Sequence, residues 1–182
     1  MRWKCLPLVV VAGLAASCTG CICDAVGQPL CTVEALFVSP SVDRVVELRL
    51  ISILDAATRT VNLALYSFTD DQLGAALIRA YQRGVAVRVI LDQGQPTAQG
   101  GEYPALVAAG IEVVVEEGTG LMHHKFLVVD GTVTVTGSYN WSDAADQSNF
   151  ENVAVIVCSE VAAAFTAEFN RLWSALTAGL RP

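Results

Sequence analysis

Histidine is nearly absent from this chain: two of 182 residues, His123 and His124. That scarcity leaves no histidine-rich metal centre. No second Cys/His cluster stands near the six cysteines to complete four ligands, so a zinc site is not expected. No internal repeat or low-complexity run is present, and no apolar run is long enough to span a bilayer. Positive charge is short as well, with 11 Lys and Arg against 18 Asp and Glu and a net charge of -7. An acidic chain repels polyanions at long range. Tight nucleic-acid binding would therefore need a local basic cleft, for which Arg44, Arg49, Arg59, Arg79, Arg83 and Arg88 are the candidates.

What is there fits a folded domain, 53% hydrophobic and 16% charged. The first residues stand apart from it. Met1 to Lys4 is a short basic head, and Cys5 to Ala16 is an apolar run followed by small residues. This pattern predicts an export signal over residues 1–17. Leu14-Ala15-Ala16-Ser17-Cys18 loosely resembles a bacterial lipobox, which makes Cys18 a candidate for lipidation and membrane attachment; Cys21 is a second candidate. Residues 18–36 then form a cysteine-bearing segment ahead of a domain over residues 37–182. In an oxidising compartment Cys21, Cys23, Cys31 and Cys158 form an even set that suggests disulfides. Cys21 and Cys23 are poorly placed to bond each other, so each is expected to reach Cys31 or Cys158.

Hydrophobic periodicity predicts strands at 32–38, 60–66, 85–91 and 111–115. Helices are expected at 43–57, with Val45, Leu48, Ile51 and Leu54 as its apolar stripe, then from a Thr69 or Asp70 cap to Arg83, and at 103–109. Asp92 to Gly101 reads as a polar loop. Strands at 124–129 and 132–136 flank Asp130-Gly131, a hairpin turn signal. A strand at 152–157 precedes a C-terminal helix capped by Ser159, with Phe165, Phe169, Leu172, Trp173 and Leu176 along one stripe. The expected fold class is α/β: a mixed, mostly buried sheet with helices on both faces.

The chemistry concentrates in His123-His124-Lys125 and, after Asp130, in Gly137-Ser138-Tyr139-Asn140. On a strand, residues two apart share a face. His123 and Lys125 thus converge, and His124 points away. A neutral imidazole, a cation and neutral donors from Ser138 and Asn140 suit attack on a phosphodiester. Gly137 permits close backbone approach or positive φ. Asp130 sits in the opposite parity, where capping the turn is its larger expected role. Trp141 is expected to pack. Glu151, at a strand start, could hold the second nitrogen of the His123 ring.

The spacing H-x-K-x4-D-x6-G-S-x-N resembles the HKD signature of the phospholipase D superfamily. Tyr66-Ser67-Phe68, Gly84 to Asp92 and Gly137 to Ser142 look alike too, and the similarity runs from about Phe37 to the C-terminus. The small single-motif bacterial endonucleases of that superfamily are the nearest in pattern. The resemblance implies a phosphodiesterase that needs no metal or other cofactor and works through a phosphohistidine. His123 would be the nucleophile. Lys125, Ser138 and Asn140 would hold the phosphate, and Glu151 would orient the histidine; Asp130 completes the signature.

Displacement at phosphorus needs attack on one side and a proton for the leaving oxygen on the other. One imidazole cannot do both, so a homodimer sharing one site is expected. The expected activity is endonuclease-like, on DNA or RNA, outside the cytoplasm. Phospholipase D action on membrane phospholipid is the alternative, and a non-catalytic envelope lipoprotein is a third.

Overall fold

The computed structural model describes residues 9–12, 15–23, 29–40 and 44–179, with side chains from residue 31 onward. The basic head Met1–Lys4 and the expected helix start at Asp43 lie outside the described residues, as do the side chains of Cys18, Cys21 and Cys23. Nine strands join one sheet: β1 (Val9–Ala12), β2 (Ala15–Cys23), β3 (Pro29–Val38), β4 (Thr60–Leu65), β5 (Ala86–Asp92), β6 (Glu112–Glu116), β7 (Lys125–Val129), β8 (Val133–Gly137) and β9 (Glu151–Val157). Their spatial order is β1-β2-β3-β9-β8-β7-β4-β5-β6. β4, β5 and β6 run parallel, and every other neighbouring pair is antiparallel. The mixed sheet is therefore the expected one. Residue 37 falls inside β3, whose backbone pairs with β9 from Thr32 onward, so the sheet takes in residues ahead of that boundary.

Alternation along each central strand feeds two cores. Leu63, Leu65, Leu127 and Val129 pack with α1 (Val45–Ala56) and α2 (Asp71–Gln82). Ala64, Ile90, Phe126 and Val128 pack with Phe169 and Leu172 of α5 (Ser159–Thr177). Each fully buried Leu or Phe contributes about 1.5–3 kcal/mol by leaving water. Among the described residues no helix is long and apolar enough to cross a membrane.

The local signals act as their chemistry dictates. Asp70 caps α2 by accepting from the Gln72 and Leu73 amides, both at 2.9 Å, and Gly84 stops it with φ 89°. Asp130 and Gly131 take φ of 54° and 65°, and the Thr132 amide donates to the Val129 carbonyl at 3.1 Å. That is the left-handed pair a tight hairpin requires. Gly137 is not left-handed; a Cβ there would lie 2.0 Å from the Asn152 carbonyl oxygen, so only glycine lets β8 and β9 approach.

Four expectations need correction. The buried stripe of α1 is Val46, Glu47, Leu50, Ile53 and Leu54, while Leu48 is 60% exposed. The helix is rotated because Glu47 turns inward to Arg44. Cys158, not Ser159, is the N-cap of α5. The disulfide joins Cys31 to Cys158. The β3–β9 register, with Thr32 opposite Val157, carries those two cysteines face to face with Cα atoms 4.6 Å apart. One short element was absent from the expectation: α4 (Asp143–Gln147), which begins at a Ser142 cap; the expected helix at 103–109 is present as α3 (Tyr103–Ala108).

Candidate active site

The C-terminal ends of β4, β5, β6 and β8 meet the N-terminal ends of β7 and β9 at one edge of the sheet. In open α/β sheets this edge is where ligands bind. Lys125 is the first residue of β7, opposite Leu65 at the end of β4. His123 lies just before it. The Tyr66 amide donates to the His124 carbonyl at 3.0 Å, and the Met122 amide donates to buried Asp92 Oδ2 at 3.0 Å. His123 is thus tethered on both sides.

Lys125 Nζ lies 3.2 Å from each His123 ring nitrogen and 3.1 Å from the His123 carbonyl oxygen. The two expected partners do converge. Tyr66, which the residue chemistry did not single out, joins them. Its ring centroid is 4.6 Å from that of His123, and Lys125 Nζ sits 5.1 Å from its ring centre. The available signal was its position directly after a buried strand. Burial lowers the pKa of the Lys125 ammonium, and the Glu151 charge acts in the opposite sense. His124 turns to the other face, 5.4 Å from the Phe126 ring and 3.8 Å from Glu168 of α5.

Ser138 and Glu151 form their own unit. The Ser138 hydroxyl donates to Glu151 Oε2 and accepts from the Asn152 amide at 3.1 Å and from Asn152 Nδ2 at 3.3 Å. Asn149 Nδ2 donates to Glu151 Oε1 at 3.0 Å. The expected bond from Glu151 to the His123 ring is replaced by these. The β8–β9 register brings Ser138 beside the start of β9, whereas His123 stands in the loop before β7.

The segment after β8 is pinned. The Trp141 amide donates to the Ser67 carbonyl at 3.1 Å, and the Trp141 carbonyl accepts from Thr69 and Asp70 at 2.7 and 3.1 Å. Trp141 itself packs edge-on against Phe68 at 4.9 Å, as expected. Asn140 is held between these contacts. Its Oδ1 is buried with no hydrogen-bond partner among the described residues. An unpaired buried amide oxygen costs about 1–3 kcal/mol unless a donor reaches it.

Asp130 is not brought to the site. It lies at the opposite end of β7, where its carboxylate accepts from the amides of Thr58, Arg59 and Thr60 at 3.0, 2.7 and 2.9 Å and from the Thr58 hydroxyl at 2.8 Å. These bonds hold its pKa below the usual value against the opposing pull of burial. The aspartate locks the α1–β4 connection.

The arginines build no cleft either. Arg44 pairs with Glu47 and Asp146, Arg49 with Glu34, and Arg79 and Arg83 with Asp55. Arg59 donates to the Asp130 carbonyl at the far end. Arg88 donates to Asn62 and Asn170 and lies over the rings of Phe169 and Trp173. Among the described residues Lys125 is the cation in contact with His123.

Residues 50–173 match the family described as "Cardiolipin synthase, PLD-like domain". The mitochondrial cardiolipin hydrolase of Xenopus tropicalis is 41% identical over 125 residues, which cover 69% of this chain and 60% of that protein. The mitochondrial cardiolipin hydrolase of Homo sapiens is 42% identical over 125 residues, covering 69% and 50%. The chain thus spans between half and three-fifths of the length of these relatives. Among solved structures, the phospholipase D family member Nuc from Salmonella typhimurium superposes with a TM-score of 0.71 and 26% identity, covering 79% of this chain and 95% of that one. NucT from Helicobacter pylori has the same fold, with a TM-score of 0.71 and 21% identity over 78% of this chain and 96% of its own.

Proposed function

Since the chain belongs to the phospholipase D-like family matched by residues 50–173, we propose that it is a phosphodiester hydrolase whose nucleophile is His123. The observation that carries this reading is the contact of Lys125 Nζ with the His123 ring at 3.2 Å, on an edge that also holds Ser138 and Asn140. A His123 nitrogen bearing its lone pair attacks phosphorus, and the bond from phosphorus to the leaving oxygen breaks. Lys125 neutralises the phosphoryl oxygens as charge builds there. Water then attacks the phosphohistidine and gives a proton to the group that had protonated the leaving oxygen; the phosphorus–nitrogen bond breaks, and the imidazole is regenerated.

The leaving oxygen needs a proton. His124, turned toward Glu168, is poorly placed to give it. His123 of the partner subunit in a twofold homodimer is the donor in this reading, and the two imidazoles titrate as a coupled pair. The Cys31–Cys158 disulfide supports an exported protein in the bacterial envelope, soluble or anchored through lipid on Cys18.

Two substrates fit the chemistry. Nuc, which shares the fold along 95% of its length, favours a nuclease-like activity. A phospholipid diester is favoured by the charge map, because polynucleotide binding relies on a basic groove along the backbone and the arginines here are engaged elsewhere. Exposed Leu121 and Phe150, 61% and 81% accessible, each lie within two residues of a site residue, His123 and Glu151. We favour the lipid reading on this ground.

The test is hydrolysis of phosphatidyl lipid vesicles, plasmid DNA, single-stranded DNA and RNA in the presence of EDTA, with His123→Ala beside the wild type. The expected outcome is chelator-resistant cleavage, strongest on lipid and lost in the variant. Cleavage that is chelator-sensitive and survives the substitution refutes the mechanism.

A further inference from the structure

Tyr66 follows the last residue of β4, and the register dictates its neighbours. Leu65 stands opposite Lys125 in the antiparallel β4–β7 pair. The next position therefore meets His124, whose carbonyl accepts from the Tyr66 amide at 3.0 Å. Strict alternation would send the Tyr66 side chain to the face of His124. The chain bends at residue 66 instead, and the ring comes to the other two residues of the site. Its centroid lies 4.6 Å from that of His123 at an interplanar angle of 54°, and 5.1 Å from Lys125 Nζ. The bend is held from behind. The Ser67 carbonyl accepts from the Trp141 amide at 3.1 Å, and the Phe68 amide donates to Gln95 Oε1 at 2.9 Å. Phe68 itself is fully buried, edge-on to Trp141.

Lys125 lacks an ionic partner. The ion pairs among the described residues do not include it. Burial disfavours its ammonium, and Glu151 favours the charged form from beyond ion-pair distance. At hydrogen-bond distance it meets the two ring nitrogens and the carbonyl of His123. The titratable groups around it are thus His123 before β7, Tyr66 after β4 and Glu151 at the start of β9. An aromatic face within about 6 Å presents negative charge density to a cation. Tilted ring pairs about 4.5–7 Å apart also have preferred orientations, so the same face restricts the imidazole. An aliphatic side chain in this place would give contact without either effect.

We propose that Tyr66 is a positioning residue of this site: its ring face holds the Lys125 ammonium beside His123 and sets the plane in which the imidazole meets phosphorus. The proposal rests on the reading of His123 and Lys125 as the phosphodiesterase pair. The phenol hydroxyl has no part in it, so a phenyl ring serves equally well.

The experiment follows the Lys125 side chain directly. The chain has two lysines, Lys4 and Lys125, so lysine labelled at the ε-carbon gives a two-signal NMR spectrum, assigned with Lys125→Arg. Wild type, Tyr66→Phe, Tyr66→Leu and a protein carrying pentafluorophenylalanine at position 66 are titrated. The fluorinated ring keeps the shape and reverses the charge of the face, which covers the case of a Tyr66→Leu chain that does not fold. The Lys125 pKa is expected to stay near the wild-type value in Tyr66→Phe. It is expected to fall by about 0.5 to 1 pH unit with leucine or the fluorinated ring. On bis(4-nitrophenyl) phosphate, kcat is expected to drop about 3- to 10-fold in those two proteins, with KM little changed and the alkaline limb moved down in step with the lysine. A Lys125 pKa that is the same with the native and the fluorinated ring overturns the proposal. So does a Tyr66→Phe protein as impaired as Tyr66→Leu. Absence of hydrolysis by wild type counts against the phosphodiesterase reading alone, because the lysine is titrated without turnover.

Discussion

Lys125 carries opposing demands. Its ammonium must stay charged to receive phosphoryl oxygens, yet burial lowers its pKa from 10.5. The form that works is the protonated one, so activity is lost as pH rises through a value below 10.5. Lys125→Arg removes that titration, since a guanidinium stays charged, but it replaces a compact ammonium with a planar fork. The expected result is a kcat reduced about 10- to 100-fold, with the alkaline limb of the pH profile moved upward. An alkaline limb that stays in place would assign it to another group. The convergence of His123 and Lys125 was legible because a two-residue alternation puts both on one face. Tyr66 was not, because nothing in a strand-end tyrosine says which ring it will meet. The bond from Ser138 to Glu151 was not legible for a related reason: it depends on the pairing of β8 with β9, a contact between distant segments.

At the level of elements, the hairpin between β7 and β8 does two jobs at its two ends. One end carries Lys125; the other carries Asp130, which clasps the start of β4. Asp130→Ala removes three amide bonds and one hydroxyl bond at a partly exposed site, an expected loss of about 1–2 kcal/mol in urea unfolding at pH 7. The sign with pH follows from its depressed pKa. The contribution is fully present above the unfolded value of 3.8 and is lost as pH falls through the lower folded value. Turnover per folded molecule is expected to be unchanged, which separates clamping from chemistry. Long periodic elements such as α2 and α5 were readable because many residues vote for the same face. α4, five residues over Asp143–Gln147, is too short to show a period. The face of α1 was misjudged because a buried salt link, Arg44 to Glu47, outweighed the aliphatic count.

The whole molecule is acidic, and part of that charge is turned inward. Glu47, Asp70 and Asp146 are buried around Arg44, and the Tyr139 hydroxyl donates to Asp146 at 3.2 Å. Burial, reinforced by Asp70, raises the Glu47 pKa to about 7; burial and a hydrogen bond with Asp71 do the same for Glu102. For an acid with a raised folded pKa, the native state keeps its proton after the unfolded chain has lost it. Stability therefore falls as pH rises from about 4.5 to about 7. The melting temperature is expected to drop across that window, and Glu47→Gln is expected to flatten the drop. An unaltered pH dependence in the variant would show that Glu47 is already ionised in the native protein.

The cysteine bridge has a topological consequence. Residues 31 and 158 are 127 positions apart, and the loop they close contains Tyr66, His123, Lys125, Ser138, Asn140 and Glu151. A protease that nicks the Asp92–Gly101 connection would leave two fragments still joined covalently, so a clipped molecule travels as one species on a gel until a reductant releases the halves.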